Sequence, residues 1–300
     1  MRSRRPPLAV LPAALLLGAL AAYPTAYLAW LAVCDWTPRH PTPELVGLGH
    51  LHDALFADAF FWKSAGLTIA YTACALVLEV GLGLALALAL VGMPSVGRLA
   101  RPVAPRRVGA VRTALAVPMT LTPVVVGLSW RILFDPDLGL PNALLRFVGV
   151  EGPAWVADPR TALAALVLVD VWQWTPFAAL TLGAALAQLP REPFEAAALD
   201  GAGPWRRVLH VALPAVRRSA AAVVLLRGID LFKAFDVLFV VTGGGPGTAT
   251  ETLNLYAYRV LRRFDIGYAA ALGLLLLVLT LVASRLLASG FDLDRKRARS

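Results

Sequence analysis

Residues 65–92 read AGLTIAYTACALVLEVGLGLALALALVG, a stretch in which Glu79 is the only charged side chain. A helix of about 20 apolar residues crosses the hydrocarbon core of a bilayer, and it satisfies its own backbone hydrogen bonds there. This segment therefore predicts a membrane-spanning helix.

Five further apolar segments meet the same test along the chain of 300 residues, of which 58% are hydrophobic and 16% charged. That composition is too apolar for a soluble domain of this size. The six predicted spans are 8–34, 65–92, 113–134, 161–186, 219–242 and 267–288. We therefore predict an all-α polytopic membrane protein in which residues 1–300 form a single transmembrane domain.

The net charge of +9 could indicate nucleic-acid binding, but basic residues in a membrane protein more often mark its topology. Seventeen of the lysines and arginines lie before span one, after spans two and four, and after span six, whereas eight lie at the opposite face. The positive-inside rule then places both termini in the cytoplasm. We expect a plasma-membrane protein, in contact with lipid, that binds no nucleic acid.

The beginning of the chain allows a second interpretation, because three arginines, an apolar stretch and Ala19-Leu20-Ala21 resemble a cleavable signal peptide. The apolar stretch continues to about Val33, well beyond the core of a signal peptide. An uncleaved first span fits better.

Span five carries four charges of alternating sign at intervals of three residues: Arg227, Asp230, Lys233 and Asp236. Each charge at a helix centre costs roughly 2.5–3.5 kcal/mol on insertion scales, and such residues usually face a bundle interior or a water-filled cavity. With Asp170, Trp172 and Trp174 of span four, they are candidates for a solute path or gate. The alternative is that the four charges only neutralise one another within one helix.

Trp172 and Trp174 also allow two interpretations, since tryptophan stacks on sugar rings but equally packs between helices. His50 and His52 form the only close histidine pair, and no nearby ligand completes a metal site. The glycine-rich stretch that begins at Gly243 lacks the Gly-Lys of a phosphate-binding loop. We expect no catalytic residue, metal or cofactor in this chain.

The segment between spans four and five reads Glu195-Ala196-Ala197-Ala-Leu-Asp200-Gly201, then nine residues, then Val211-Ala-Leu213-Pro214. Pro193 and Glu195 suit the first turn of a short helix, and Gly201 allows a sharp turn. A second helical stretch should run from about Trp205 to Leu213, where Pro214 limits its continuation. Small side chains on such a helical pair would let another protein approach closely.

This segment resembles the cytoplasmic signature of the inner-membrane permeases of bacterial ABC importers, with Val211 where isoleucine is usual. Three other stretches resemble the sugar-permease branch, which includes maltose-type and glycerol-phosphate-type permeases: Phe235–Thr252, Trp172–Phe177 and Phe264–Ala271. Together the resembling stretches span most of residues 110–275.

The resemblance implies that residues 188–217 form a coupling loop that docks on a separate ATPase subunit, through Glu195, Ala196, Ala197, Asp200, Gly201, Val211, Leu213 and Pro214. ATP and Mg²⁺ would be bound by that ATPase. The other implied partners are an external solute-binding protein and a second permease, more often a different chain than a copy. A disaccharide, oligosaccharide, monosaccharide or glycerol phosphate all remain open as the solute.

A secondary transporter is the alternative from another class, in which intramembrane acids such as Glu79 and Asp170 relay ions. It explains the buried charges but leaves the coupling segment without a role.

Overall fold

The computed structural model describes residues 11–38, 40–91 and 105–292. The predicted span limits at residues 8 and 92 lie outside the described residues. So do the basic residues before residue 11, between residues 92 and 104, and after residue 292, on which much of the predicted topology rests.

The described chain is helical apart from one antiparallel strand pair, β1 (Cys34–Thr37) and β2 (His40–Leu45), in which Cys34 pairs with Leu45 and Asp35 with Glu44. The helices are α1 (Leu11–Ala32), α2 (Gly49–His52), α3 (Ala59–Val91), α4 (Pro105–Thr120), α5 (Pro123–Leu133), α6 (Leu140–Phe147), α7 (Ala162–Ala187), α8 (Glu192–Leu199), α9 (Pro204–Arg207), α10 (Leu213–Phe232), α11 (Asp236–Val241), α12 (Leu253–Leu261) and α13 (Ile266–Asp292). π-Helical turns at Asp53–Ala57 and Val208–Ala212 follow α2 and α9.

Five helical segments are long and apolar enough to cross a membrane, and a bent pair raises the number to six. The six-span prediction is thereby confirmed in outline. The segments are Leu11–Ala32, Ala59–Val91, Ala162–Ala187, Pro204–Phe232 and Ile266–Phe291, with Gly109–Thr120 plus Pro123–Leu133 as the bent pair.

The third predicted span is not one straight helix, since its two halves meet at 94°. Proline disfavours helical backbone in the residue before it, and Thr122 is accordingly extended at φ −67°, ψ 143° before Pro123. Because Pro123 then lies in the first turn of α5, its missing N–H costs that helix nothing.

The fifth predicted span is also interrupted. Helix α10 ends at Phe232, and α11 begins at Asp236 after Lys233, Ala234 and Phe235. The four charges expected on one continuous helical stripe are therefore divided between the last turns of α10, the break and the first residue of α11. At the other end of this span, Pro214 does not stop the helix as expected, because it lies in the first turn of α10 after a π-helical turn.

The chain divides into two compact units. The first comprises residues 1–65 and 253–279, and its core includes Phe61, Leu253 and Leu272. The second comprises residues 66–252 and 280–300, with Ala87, Leu182 and Val223 in its core. The division into a single domain over residues 1–300 stays a prediction.

In the second unit, α3 and α7 approach closely at Gly83. A Cβ at this position would lie 2.5 Å from the Ala178 Cβ and 3.0 Å from the Ala179 backbone nitrogen. Gly81, two residues before it and on another side of α3, has nothing within 4 Å of its Cβ position. The two glycines thus differ in packing while sharing a helix.

We expect Gly83→Ala to destabilise the protein by about 1–3 kcal/mol, because the added methyl group forces α3 away from α7. Gly81→Ala is the matched control and should leave the stability unchanged or slightly higher. Thermal unfolding in detergent measures both variants. Equal unfolding temperatures for the two would contradict the close approach of α3 and α7.

Candidate functional site

The guanidinium of Arg227 lies at the centre of a buried charge cluster in the second unit. Its Nε donates to Glu79 Oε2 at 2.7 Å, and its Nη2 donates to Glu79 Oε1 at 2.9 Å and to Asp170 Oδ2 at 2.6 Å. Arg227 is 3% exposed and Glu79 is fully buried. One cation therefore joins α3, α7 and α10.

This arrangement shows how the charges predicted for span five are paired, while their role in a solute path stays a prediction. Arg227 is neutralised mainly by carboxylates of other helices, and its distance to Asp230 on its own helix is 3.9 Å. Lys233 pairs with Asp230 at 3.2 Å, where both side chains are about half exposed. The charges of span five are thus neutralised partly by one another and partly by carboxylates of other helices.

The indole ring of Trp174 lies against the same cation, with the Arg227 Cζ 4.5 Å from the ring centroid. This distance is typical of a cation–π contact, which is strongest where the cation is desolvated. The ring therefore has a fixed orientation beside the charge cluster.

Trp174 and Arg227 form part of the wall of a cavity of about 310 Å³. That volume lies at the lower end of the range for small-molecule sites. The complete lining is Pro123, Asp170, Gln173, Trp174, Arg227, Asp230, Lys233, Ala234, Phe235, Asp236 and Val237.

Both helix interruptions open onto this cavity. Pro123 follows the break between α4 and α5, and Lys233, Ala234 and Phe235 form the break between α10 and α11. Non-helical backbone at membrane depth is tolerated where it is buried in protein or lines a cavity. Breaks of this kind form the solute sites of many transporters.

Gln173 links one break to the cavity. Its Nε2 donates to the Leu121 carbonyl oxygen at 3.1 Å, which satisfies a backbone acceptor at the end of α4. Its Oε1 is buried and has no hydrogen-bond partner among the described residues.

The sequence-predicted path residues fall into two groups. Asp170, Trp174, Arg227, Asp230, Lys233 and Asp236 all line the cavity. Trp172 does not, because its ring packs edge-on against Trp130 at a centroid distance of 5.6 Å. The two neighbouring tryptophans therefore differ in position, and stacking of Trp174 on a sugar ring stays a prediction.

Glu79, Gln173 and Phe235 were not among the predicted site residues. Glu79 had a detectable signal, since it is the one charge in an apolar run. Gln173 and Phe235 gave no such signal, because a glutamine between two tryptophans and a phenylalanine near a helix end occur in many membrane proteins.

The predicted coupling segment forms a short helical pair in the second unit. Helix α8 carries Glu192 and Glu195 in its first turn with Pro193 beside them, as the sequence indicated. Gly201 turns the chain at φ +76°, and α9 follows after Gly203. Phe194 is buried in the core of this unit and anchors α8.

Among the predicted docking residues, Glu195, Ala196, Asp200, Gly201 and Pro214 are exposed, whereas Ala197, Val211 and Leu213 are half-buried. Two large apolar side chains of this segment were not predicted as contacts. Leu199 is 89% exposed and Trp205 is 76% exposed. Both side chains therefore leave apolar area uncovered on the surface of this segment.

The first unit has a polar cluster of its own around Asp58. The hydroxyls of Tyr256 and Tyr268 both donate to its Oδ2. Burial raises the pKa of Asp58, but hydrogen bonds from the two tyrosines and from backbone amides outweigh it and hold the pKa below its ordinary value. A cavity of about 660 Å³ lies beside these tyrosines, between β1, α12 and the start of α13.

Comparison with known proteins places this geometry in a family. Residues 99–289 match the model for the inner membrane component of binding-protein-dependent transport systems. These residues include the coupling segment, both helix breaks and all of the residues that line the 310 Å³ cavity.

Curated relatives match over most of the chain. The trehalose/maltose transport system permease protein MalF of Thermococcus litoralis is 31% identical over 252 residues, covering 84% of this chain and 81% of its own length. The trehalose transport system permease protein SugA of Mycobacterium tuberculosis is 33% identical over 272 residues, with coverages of 89% and 82%.

Solved structures share the fold at lower identity. A bacterial alginate ABC transporter, solved in complex with an alginate pentasaccharide-bound periplasmic protein, has a chain that superposes with a TM-score of 0.77. That chain is 18% identical, and the match covers 93% of this chain and 91% of the other. At this identity the likeness shows the fold alone.

We expect Arg227→Leu to destabilise the protein by about 3–5 kcal/mol, because it leaves Glu79 and Asp170 buried without their cation. Replacing all three side chains with leucine should recover much of that loss, since an apolar trio leaves no uncompensated charge. Lys233→Ala is the control, and breaking its exposed pair should cost less than about 1 kcal/mol. Chemical unfolding in detergent compares them, and similar losses for Arg227→Leu and Lys233→Ala would refute the central role of Arg227.

Proposed function

The chain belongs to the family of binding-protein-dependent transport system inner membrane components, and from this premise we propose that its 310 Å³ cavity is the part of the translocation path that holds the solute. The chain is a permease subunit of an ABC importer for sugar solutes. The observation that carries the proposed site is the opening of two broken helices onto one cavity with charged and aromatic walls.

The lining has the chemistry that a sugar requires. The rings of Trp174 and Phe235 contribute aromatic surface to the cavity wall, against which a sugar ring can pack. The carboxylates of Asp230 and Asp236 and the amide of Gln173 accept hydrogen bonds from hydroxyl groups. Aromatic surface combined with convergent polar groups is typical of small-molecule sites.

ATP hydrolysis belongs to a separate subunit in this proposal, because the sequence lacks a phosphate-binding loop. ATP and Mg²⁺ are bound there, and the exposed surface of α8 and α9 docks on that subunit. Glu195, Gly201, Leu199 and Trp205 supply a charge, a turn and apolar contacts for the docking.

One continuous helical segment supports a mechanical link between the two sites. Pro204–Phe232 extends over 29 residues from the coupling loop to the break at Lys233, and Arg227 lies in its last turns. When the ATPase subunits close on ATP, this segment transmits their movement to the cavity. The cavity then alternates between access from outside and access from the cytoplasm.

The remaining partners are an external protein that delivers the solute and a second permease, of a different sequence, that completes the path. The match to a family of binding-protein-dependent transport components supports the first of these. The distribution of lysine and arginine supports a cytoplasmic position for both termini, and the activity of a topology reporter fused at Ser300 tests it.

Two tryptophans on α7 test the solute site. Trp174→Ala is expected to lower sugar uptake by at least about fivefold, because the cavity loses an aromatic wall whose contacts are worth about 1 kcal/mol or more and a neighbour that orients Arg227. Trp172→Ala is the matched control, since its ring packs on Trp130 outside the cavity. The measurement is sugar uptake by both variants at equal membrane abundance. A larger loss in Trp172→Ala would show that the cavity is not part of the translocation path.

Two glycines test the coupling loop. Gly201→Val should abolish uptake, because a β-branched residue strongly resists the positive φ at this turn and the chain then presents α8 in a different direction. Neither Gly201 nor Gly203 has any atom within 4 Å of its Cβ position, and Gly203 has an ordinary φ of −65°. Gly203→Val is therefore the matched control.

Charge reversal provides a second variant in the same loop. Glu195→Lys should weaken docking of the ATPase subunit, whereas Glu151→Lys, in the loop before α7, should not. Uptake, retention of the ATPase on purification and membrane abundance are measured together. Normal uptake by a Glu195→Lys, Gly201→Val double variant would remove the coupling role from this segment.

A further inference from the structure

In the wall of the 310 Å³ cavity the cations are paired, whereas two hydrogen-bond acceptors have no partner in the part of the chain that the structure describes. This difference affects which solutes the proposed site can bind. Each cation in its wall already faces a carboxylate. Arg227 is bound by Glu79 and Asp170, and Lys233 is bound by Asp230. An arriving anion would therefore meet cations whose charge is already balanced by carboxylates.

Asp236 is the carboxylate of the wall that has no cation. It is exposed, it begins α11, and none of the ion pairs among the described residues includes it. A negative charge is favoured in the first turn of a helix, which explains why the carboxylate is tolerated there. That position leaves its oxygens available to the cavity.

Gln173 adds an unused acceptor to the same wall. Its Nε2 is committed to the Leu121 carbonyl, which fixes the orientation of the amide and leaves Oε1 as an acceptor. Gln173 is fully buried, and its Oε1 has no partner among the described residues. A buried acceptor without a partner is destabilising, and a donor supplied by a ligand relieves it.

From this imbalance we propose that the cavity accepts saccharides that are uncharged or carry an ammonium group, and that it disfavours saccharides carrying a carboxylate or a phosphate. The inference rests on the proposed function of the cavity as the solute site. Hydroxyl and ammonium groups of such a saccharide donate hydrogen bonds to the Asp236 carboxylate and to Gln173 Oε1. A carboxylate or phosphate brings further acceptors and a negative charge close to Asp236.

Glucose, glucosamine and glucuronate are suitable probes because they share one ring and differ in charge. Their equilibrium binding to the full-length chain in lipid nanodiscs, at slightly acidic pH and low salt, is measured by calorimetric titration. We expect glucosamine and glucose to bind more tightly than glucuronate. We also expect the difference between glucosamine and glucuronate to shrink at high salt, because exposed charges are screened.

Substitutions at Asp236 test whether its negative charge determines the order of affinity for the three probes. Asp236→Asn should reduce the ratio of glucosamine affinity to glucuronate affinity by up to about fivefold, the size expected for one partly exposed charge. Asp236→Lys should reduce it further. Asp137→Asn is the matched control, since Asp137 is exposed in the loop after α5, outside the cavity, and the ratio should stay unchanged.

The outcomes separate this inference from the proposed site. If Trp174→Ala and Gln173→Leu abolish binding but glucuronate binds as tightly as glucose, the cavity holds solute and the charge selectivity is wrong. If binding of all three probes is unaffected by both substitutions, or is absent, the proposed solute site fails and the selectivity fails with it. A ratio that Asp137→Asn and Asp236→Asn lower equally also overturns the inference.

Discussion

In the membrane-spanning part of the second unit, one buried guanidinium must remain ion-paired with two carboxylates. Arg227 cannot lose its proton, so its burial is tolerated only while Glu79 on α3 and Asp170 on α7 remain in contact with it. Three helices are held in register by this requirement. The orientation of Trp174 and the position of the cavity wall follow from it, since both are built around the same cation.

The two interrupted helices are the second constraint. Proline and the loss of regular hydrogen bonding leave backbone groups that need partners, and Gln173 supplies one of them at Leu121. The interruptions leave space between helices that straight spans would fill. Interrupted helices would weaken a protein whose spans served only to hold it in the membrane. In this sugar permease the two interruptions create a polar cavity.

The coupling loop and the cavity are connected by the chain itself. A helical segment that begins at Pro204 beside the turn at Gly201 ends at Phe232 beside the cavity. A helix is stiff along its axis, so displacement at one end reaches the other without a chain of separate contacts. Arg227 lies near the far end, where such a displacement would act on the charge cluster that joins α3 and α7.

The sequence by itself predicted the membrane class and the spans in outline, because apolar length is a local property. It also contains the motif around Glu195, Gly201 and Pro214 whose resemblance to a family signature implies the coupling role. It also identified most of the charged residues at the cavity, because a charge in an apolar run is conspicuous. Only the tertiary structure decided that Arg227 pairs with Glu79 and Asp170, since each partner lies on a helix distant in the sequence. The tertiary structure likewise distinguished Trp174 from Trp172. The two side chains lie on different faces of α7, where Trp174 contacts Arg227 and Trp172 contacts Trp130.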